Sequence, residues 1–235
     1  MDYCATPTLL RRYNGDGRAP GKKAVVKSRS QTGSRSILLF SLFLLFCLRS
    51  PFLPAQSNAP DTAFGLQIGG ALSLPECERI RVSKNNFAYR PIAQSWCYER
   101  MERGDTPLTN GTIEIKFPLK DRPQIVSGLS LIGTVMDGRL EGIGFNTLGV
   151  SNADDVLQKL TEKYGKPTSS EPYEVQNGFG AKFTSVRALW SFSNLVVIFK
   201  GVSSNLDSGL VIIETPKCNA WREQKLKELT NGRQL

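Results

Sequence analysis

Apolar and polar positions along the chain change period several times, and each change marks an element. In FGLQIGG, residues 64–70, Phe64, Leu66 and Ile68 share one face of an alternating pattern, which predicts a strand ended by Gly69-Gly70. Ser73-Leu74-Pro75-Glu76 then has the spacing of a capping box with proline in the first turn, which predicts a short helix carrying Cys77 and Ile80. Residues 82–111 show little periodicity apart from one strand near Trp96–Arg100, and they end at Asn110-Gly111. In TIEIKF, Ile113, Ile115 and Phe117 point inward while Glu114 and Lys116 point outward. LSLIGTVMDGRLEGIGF reads as a hairpin, because Asp137-Gly138 is a dipeptide that tight primed turns prefer and apolar runs flank it.

The period then lengthens. In SNADDVLQKLTEKYGKP, Ala153, Leu157, Leu160 and Tyr164 form one helical stripe, with Ser151 as the expected cap and Gly165 and Pro167 as the stop. Asp154 and Asp155 fall in the first turn, where the helix dipole favours anions. Neighbouring helix positions point about 100° apart, so these two read as dipole compensation plus an Asp155–Lys159 pair, not as a shared proton or metal site. Val186, Ala188, Trp190 and Phe192 alternate, LVVIF is continuously apolar, and LVII follows a turn at 203–208, which predicts a three-stranded meander. Thr215-Pro216 opens a C-terminal helix with Leu226 and Leu229 inward. Strands adjoin strands without alternating helices, so the expected fold is α+β: an antiparallel sheet covered by two or three helices. FGLQIGGALSLPE and GIGFNTLGVSNAD share the order strand, glycine, capped helix, a faint internal echo.

One run fits neither period. Ile37–Leu48 is apolar but for Ser41, about 12 residues, too short for the roughly 20 that a spanning helix needs. Arg and Lys residues precede it, Pro51 and Pro54 follow it, and Ala55-Gln56-Ser57 places small residues where a signal peptidase reads them. The expected reading is a leader over residues 1–57, cut after Ser57, ahead of one α+β domain over residues 58–235. A retained anchor in the inner membrane and a buried core helix are the alternatives. The stretch before the run is long for a signal peptide, so a start near Val25 or Val26 is expected. Leu44-Leu45-Phe46 before Cys47 lacks the small residue of a lipid-attachment site, and Arg11-Arg12 lies too far upstream for a twin-arginine signal.

This division changes the charge. The whole chain is net +9, but the leader holds 9 of its 30 basic and 2 of its 21 acidic residues. That leaves 21 basic against 19 acidic, so basicity gives no argument for nucleic acid. Three cysteines remain, Cys77, Cys97 and Cys218, and export to an oxidising compartment implies that two of them pair. Cys77–Cys97 is the expected bridge because its loop closes locally; Cys218 is then a buried thiol, or the true partner of one of the others. Histidine is absent. That removes Ser-His and Cys-His nucleophile pairs and the commonest metal ligand. Ser-Lys chemistry, paired carboxylates or a lone thiol remain, and no cofactor or metal site is expected.

SNADDVLQKLTEKYGKP followed by ALWSFSNLVVIFKG resembles small exported bacterial modules, those of the β-lactamase-inhibitor-protein type and the related outer-membrane assembly lipoproteins. The likeness covers roughly residues 140–215. It implies a helical layer on an antiparallel sheet whose open face binds another protein. The residues themselves offer a second contact surface: Arg79, Arg81, Lys84, Arg90, Arg100 and Arg103, interleaved with Phe87, Tyr89, Trp96 and Tyr98. Cations beside aromatics hold anionic sugars, acidic peptides or single-stranded nucleic acid, although no nucleic-acid partner is expected here. Asn110-Gly111-Thr112 matches a glycosylation triplet by chance. The expected function is a non-catalytic binding module, periplasmic or secreted, whose partner is another envelope protein or an anionic envelope polymer, with membrane contact only during export. The alternatives are an envelope hydrolase working through carboxylates such as Glu114 with Glu141 or Asp207, and an envelope assembly accessory.

Overall fold

The computed structural model describes residues 58–84, 86–102 and 108–231; the leader, its cleavage position after Ser57 and Arg103 lie outside the described residues. In chain order the elements are β1 (Thr62–Ala63), β2 (Leu66–Gln67), β3 (Gly70–Ala71), β4 (Arg79–Ser83), β5 (Asn86–Tyr89), β6 (Cys97–Arg100), β7 (Gly111–Lys116), β8 (Ser130–Met136), β9 (Arg139–Thr147), α1 (Ala153–Tyr164), β10 (Ser169–Gln176), β11 (Lys182–Ser191), β12 (Val196–Asn205), β13 (Ser208–Glu214) and α2 (Pro216–Asn231). The main sheet runs β10-β11-β12-β13-β9-β8-β7-β6, with β3 paired to the start of β9, and every pairing in it is antiparallel. The fold is α+β, as expected. It consists of two meanders, β6–β9 and β10–β13, whose inner strands β9 and β13 join in the middle; α1 carries the chain from one to the far edge of the other.

The register aligns one apolar face across six strands. Trp190 faces Val197, Val197 faces Ile213 and Ile213 faces Ile143; one row over, Ala188, Phe199, Val211 and Phe145 do the same. Ile113, Ile115 and Leu131 continue it, all fully buried. α1 packs here through Ala153, Val156, Leu160 and Tyr164. Val156 lies in the buried face and Leu157 at its margin, a small rotation of the expected stripe. The helix start also differs. A 3-10 turn over Gly149–Asn152 leads into α1, Ser151 Oγ donates to the Leu148 carbonyl, and Asn152, not Ser151, holds the cap position. The Asp155–Lys159 pair forms at 2.9 Å.

A 12-residue helix is about 18 Å long, whereas eight strands side by side span about 34 Å. α1 therefore covers only part of this face. Ala59, Ala63, Leu66 and Ile68 from the N-terminal segment, with Phe117 and Val126 from the β7–β8 connection, complete the core. α2 crosses the opposite face. Cys218 is its buried residue, and Arg222 forks onto the carboxylate of Glu214. Leu226 is half-buried, but Leu229 is exposed rather than inward.

Two further expectations are corrected. FGLQIGG is not one strand: β1 and β2 form a two-residue hairpin whose corner is Phe64-Gly65, both at positive φ (54° and 78°), a primed turn with phenylalanine where asparagine is usual. Ser73–Ile80 is not a helix. Its backbone lies beside β6, with Tyr98 N–H donating to the Pro75 carbonyl and Cys77 N–H to the Tyr98 carbonyl. The Glu76 carboxylate that would close the capping box is taken by other partners, so the internal echo has no counterpart in the fold. The Asp137-Gly138 corner behaves as expected, with φ of 52° and 72°.

Candidate functional site

The Cys77–Cys97 bridge forms, Cα to Cα 4.9 Å, and Cys218 is free and buried. The bridge fastens the 73–78 segment to β6 and so fixes the root of a small separate hairpin, β4–β5. Glu76 stands at that root. Arg79 donates to its carboxylate at 2.5 Å, the Tyr89 hydroxyl at 2.7 Å and Arg100 at 3.1 Å. Arg79 also donates to the Tyr89 hydroxyl and sits 4.9 Å above its ring, and the Arg100 backbone N–H donates to the same hydroxyl. Burial pushes the Glu76 carboxyl up, but the hydrogen bonds from Tyr89 and Arg79 and the charges of Arg100 and Arg79 together outweigh it and hold the group below its ordinary range. Arg90 pairs with Glu78 at 2.9 Å.

Of the expected contact residues, then, Arg79, Tyr89, Arg90 and Arg100 are committed to holding the hairpin. Tyr98 is buried in the core, and the Trp96 ring packs 5.2 Å from Phe117. Arg81 and Lys84 are left facing solvent. Arg81 donates to the Lys84 carbonyl and lies 5.8 Å from the Phe87 ring centre. Beside them Val82 and Phe87 are 52% and 59% exposed. Phe87 is one of the interleaved aromatics that the sequence singles out, but Val82 is not, and a window opened at Arg79 also omits Glu76 and Glu78, which pair with Arg79, Arg90 and Arg100. A strand of alternating Arg79, Arg81 and Ile80, Val82 was the available signal.

The carboxylates named for an enzyme do not meet. Glu114 is bound by Lys116 at 2.8 Å and by the Ser130 hydroxyl at 2.5 Å. Glu141 is buried under the start of α2, accepting from Thr215 Oγ1 at 2.6 Å, and Asp207 sits in the exposed β12–β13 turn. The neighbour of Glu114 is instead Glu99, its cross-strand partner on β6. Burial, with the Glu114 charge adding to it against Lys116, raises the Glu99 carboxyl; Glu114 is pushed up by burial too, but its bonds to Lys116 and Ser130 bring it below the ordinary value. Among the described residues no cluster of His, Cys, Asp and Glu has metal-binding geometry, and no helix is long and apolar enough to cross a membrane. No family model, no curated protein and no solved structure matches this chain.

Proposed function

We propose that the protein is an exported, non-catalytic binding module that makes contact through the β4–β5 hairpin. One observation carries this reading. A disulfide, a four-residue hydrogen-bond cluster and a further ion pair hold a hairpin none of whose described side chains belongs to the core. Its ordering is therefore not explained by the fold. A preorganised element that presents aromatic, aliphatic and cationic groups loses little entropy on binding, and exposed Val82 and Phe87 beside Arg81 and Lys84 suit a partner with an apolar spot and an acidic rim, an envelope protein or an anionic envelope polymer. The bridge supports an oxidising compartment, periplasmic or extracellular, reached with the leader removed after Ser57. The resemblance to inhibitor-type and assembly-lipoprotein modules supports the same class, although those imply contact through the open sheet.

The test is capture from envelope extract by the purified protein, with mass spectrometry of what is held, repeated with Arg81→Gln/Phe87→Ser. The variant is expected to lose the partner; a partner retained at full yield moves the contact to the sheet and sinks the hairpin assignment. Edman sequencing of the native protein is expected to begin at Asn58. A second reading, a hydrolase of envelope polymers, is favoured only by the Glu99–Glu114 pair with carboxyls pushed in opposite directions. It requires release of soluble fragments from purified polymer, abolished by Glu114→Gln.

A further inference from the structure

The incomplete cover over the core face leaves a cleft where α1, the Phe64 corner and the β7–β8 connection meet. Its volume is about 260 Å³, and Ala63, Phe64, Ile125, Leu160, Tyr164 and Ile213 make its walls. Three features separate it from a packing defect. First, Phe64, a bulky residue at φ 54°, is held in a backbone region that costs about 1–3 kcal/mol, with its ring edge-on to Phe145 at 5.3 Å. Any asparagine or glycine would make this corner without strain, so the sequence retains a ring here at a cost. Second, the Tyr164 hydroxyl is buried at 6% residue exposure with no hydrogen-bond partner among the described residues. Third, the charged groups at the cleft are Lys159 and Lys163, on one face of α1, with no carboxylate in the lining. Lys163 donates to the neutral carbonyl of Thr62, 2.5 Å away, and lies 5.4 Å from the Tyr164 ring centre, with no carboxylate partner among the described residues, and Lys159 pairs with the exposed Asp155. Apolar walls with two lysines and no carboxylate in the lining match one ligand chemistry.

We propose that this cleft binds a small amphiphilic anion: an unbranched alkyl or acyl chain lies against Phe64, Ile125, Leu160 and Ile213, and its carboxylate is held by Lys163 and Lys159. The volume, about 260 Å³, falls just below the usual range of ligand pockets, roughly 300–1,000 Å³, which limits the occupant to a short or medium chain. The assignment does not depend on the hairpin contact, since no residue is shared.

Isothermal titration of the full-length protein with decanoate, 1-decanol and decyltrimethylammonium, each below its aggregation limit, tests it. Decanoate is expected to bind at one saturable site, about tenfold more tightly than decanol, with the cation weakest. Lys159→Gln/Lys163→Gln, at exposed or half-exposed positions that should not disturb folding, is expected to remove that tenfold preference and leave decanol binding unchanged. Ile125→Trp, which fills the cleft, is expected to abolish both. Equal binding of all three compounds, no saturable binding, or a decanoate preference that survives the double lysine variant each overturns the proposal. Arg81→Gln/Phe87→Ser should bind decanoate normally; loss there overturns the independence of the two sites.

Discussion

At the level of single residues, Glu76, in the segment bridged to Tyr98 of β6, and Glu99, on β6 itself, are carboxylates with opposite pH behaviour. Glu76 is held below its ordinary range, so its ionised form is favoured in the folded state. That contribution is full above the unfolded value, near 4.5, and is lost as the pH falls through the lower folded value. Charge-assisted hydrogen bonds of this kind contribute about 1.5–3 kcal/mol each against a buried alternative; with Arg79 and Glu76 partly exposed, Glu76→Gln is expected to cost about 2 kcal/mol at pH 7. The difference from wild type in urea unfolding should shrink below pH 4. Glu99 is raised, so its ionisation opposes folding, and the penalty grows as the pH rises from the unfolded to the folded value. Glu99→Gln is therefore expected to raise the melting temperature at pH 7 and to leave it unchanged at pH 3; a loss of stability at pH 7 would show that Lys116 needs both carboxylates. Neither role is legible in a one-dimensional charge count. Glu76 lies outside the Arg79–Arg103 window, and Glu99 meets Glu114 only through the β6–β7 register.

Among the elements, those with a strong period of their own are legible: β7, the β8–β9 hairpin with its Asp137-Gly138 corner, α1 and the β11–β13 meander. Those that depend on distant partners are not. β4 and β5 hold together through Glu76, Glu78 and the disulfide, and β10 is the strand missing from the expected three-stranded meander because, as an edge strand with Pro172, it is mostly polar and exposed. At the 73–80 segment a local helix signal loses to backbone pairing with β6, since the carboxylate and the cysteine both bind elsewhere. The seat of α1 shows the same dependence. Gly149 has φ 66°, and a Cβ there would run into the Leu206 carbonyl, so Gly149→Ala is expected to destabilise by at least about 2 kcal/mol and to expose the core to a dye such as ANS. α2 is pinned by Glu214, 2% exposed, under Arg222. Arg222→Ala strands a buried carboxylate and is expected to cost about 3–5 kcal/mol, while Glu214→Met/Arg222→Met should recover most of it. A double variant as unstable as the single one would mean that the ion pair, not burial, fixes the helix.

For the whole molecule, the disulfide ties the β4–β5 hairpin, which forms a sheet of its own, to the main sheet. A closed loop of about 20 residues confers roughly 3 kcal/mol in the chain-entropy picture, and the residues inside that loop contribute mainly to β4–β5 and β6. Reduction should therefore loosen residues 76–100 while β11–β13 and α1 keep their hydrogen-exchange protection; a global loss of protection would mean that the hairpin is part of the cooperative core. Cys218 provides an internal count for the same experiment. Burial first, then the charge and hydrogen bond of Glu214, push its thiol far above the ordinary cysteine value, so it stays protonated and closed to reagent in the folded state. Unfolded without reductant, a chain cut after Ser57 is expected to titrate one thiol, Cys218. A chain that keeps its leader adds Cys4 and Cys47 and titrates three if both are reduced. One thiol on the native protein ties the disulfide, the compartment and the processed start together, because each of them requires passage out of a reducing cytoplasm. Five thiols on freshly isolated, alkylated material would remove the bridge, and with it the rigidity on which the hairpin contact depends.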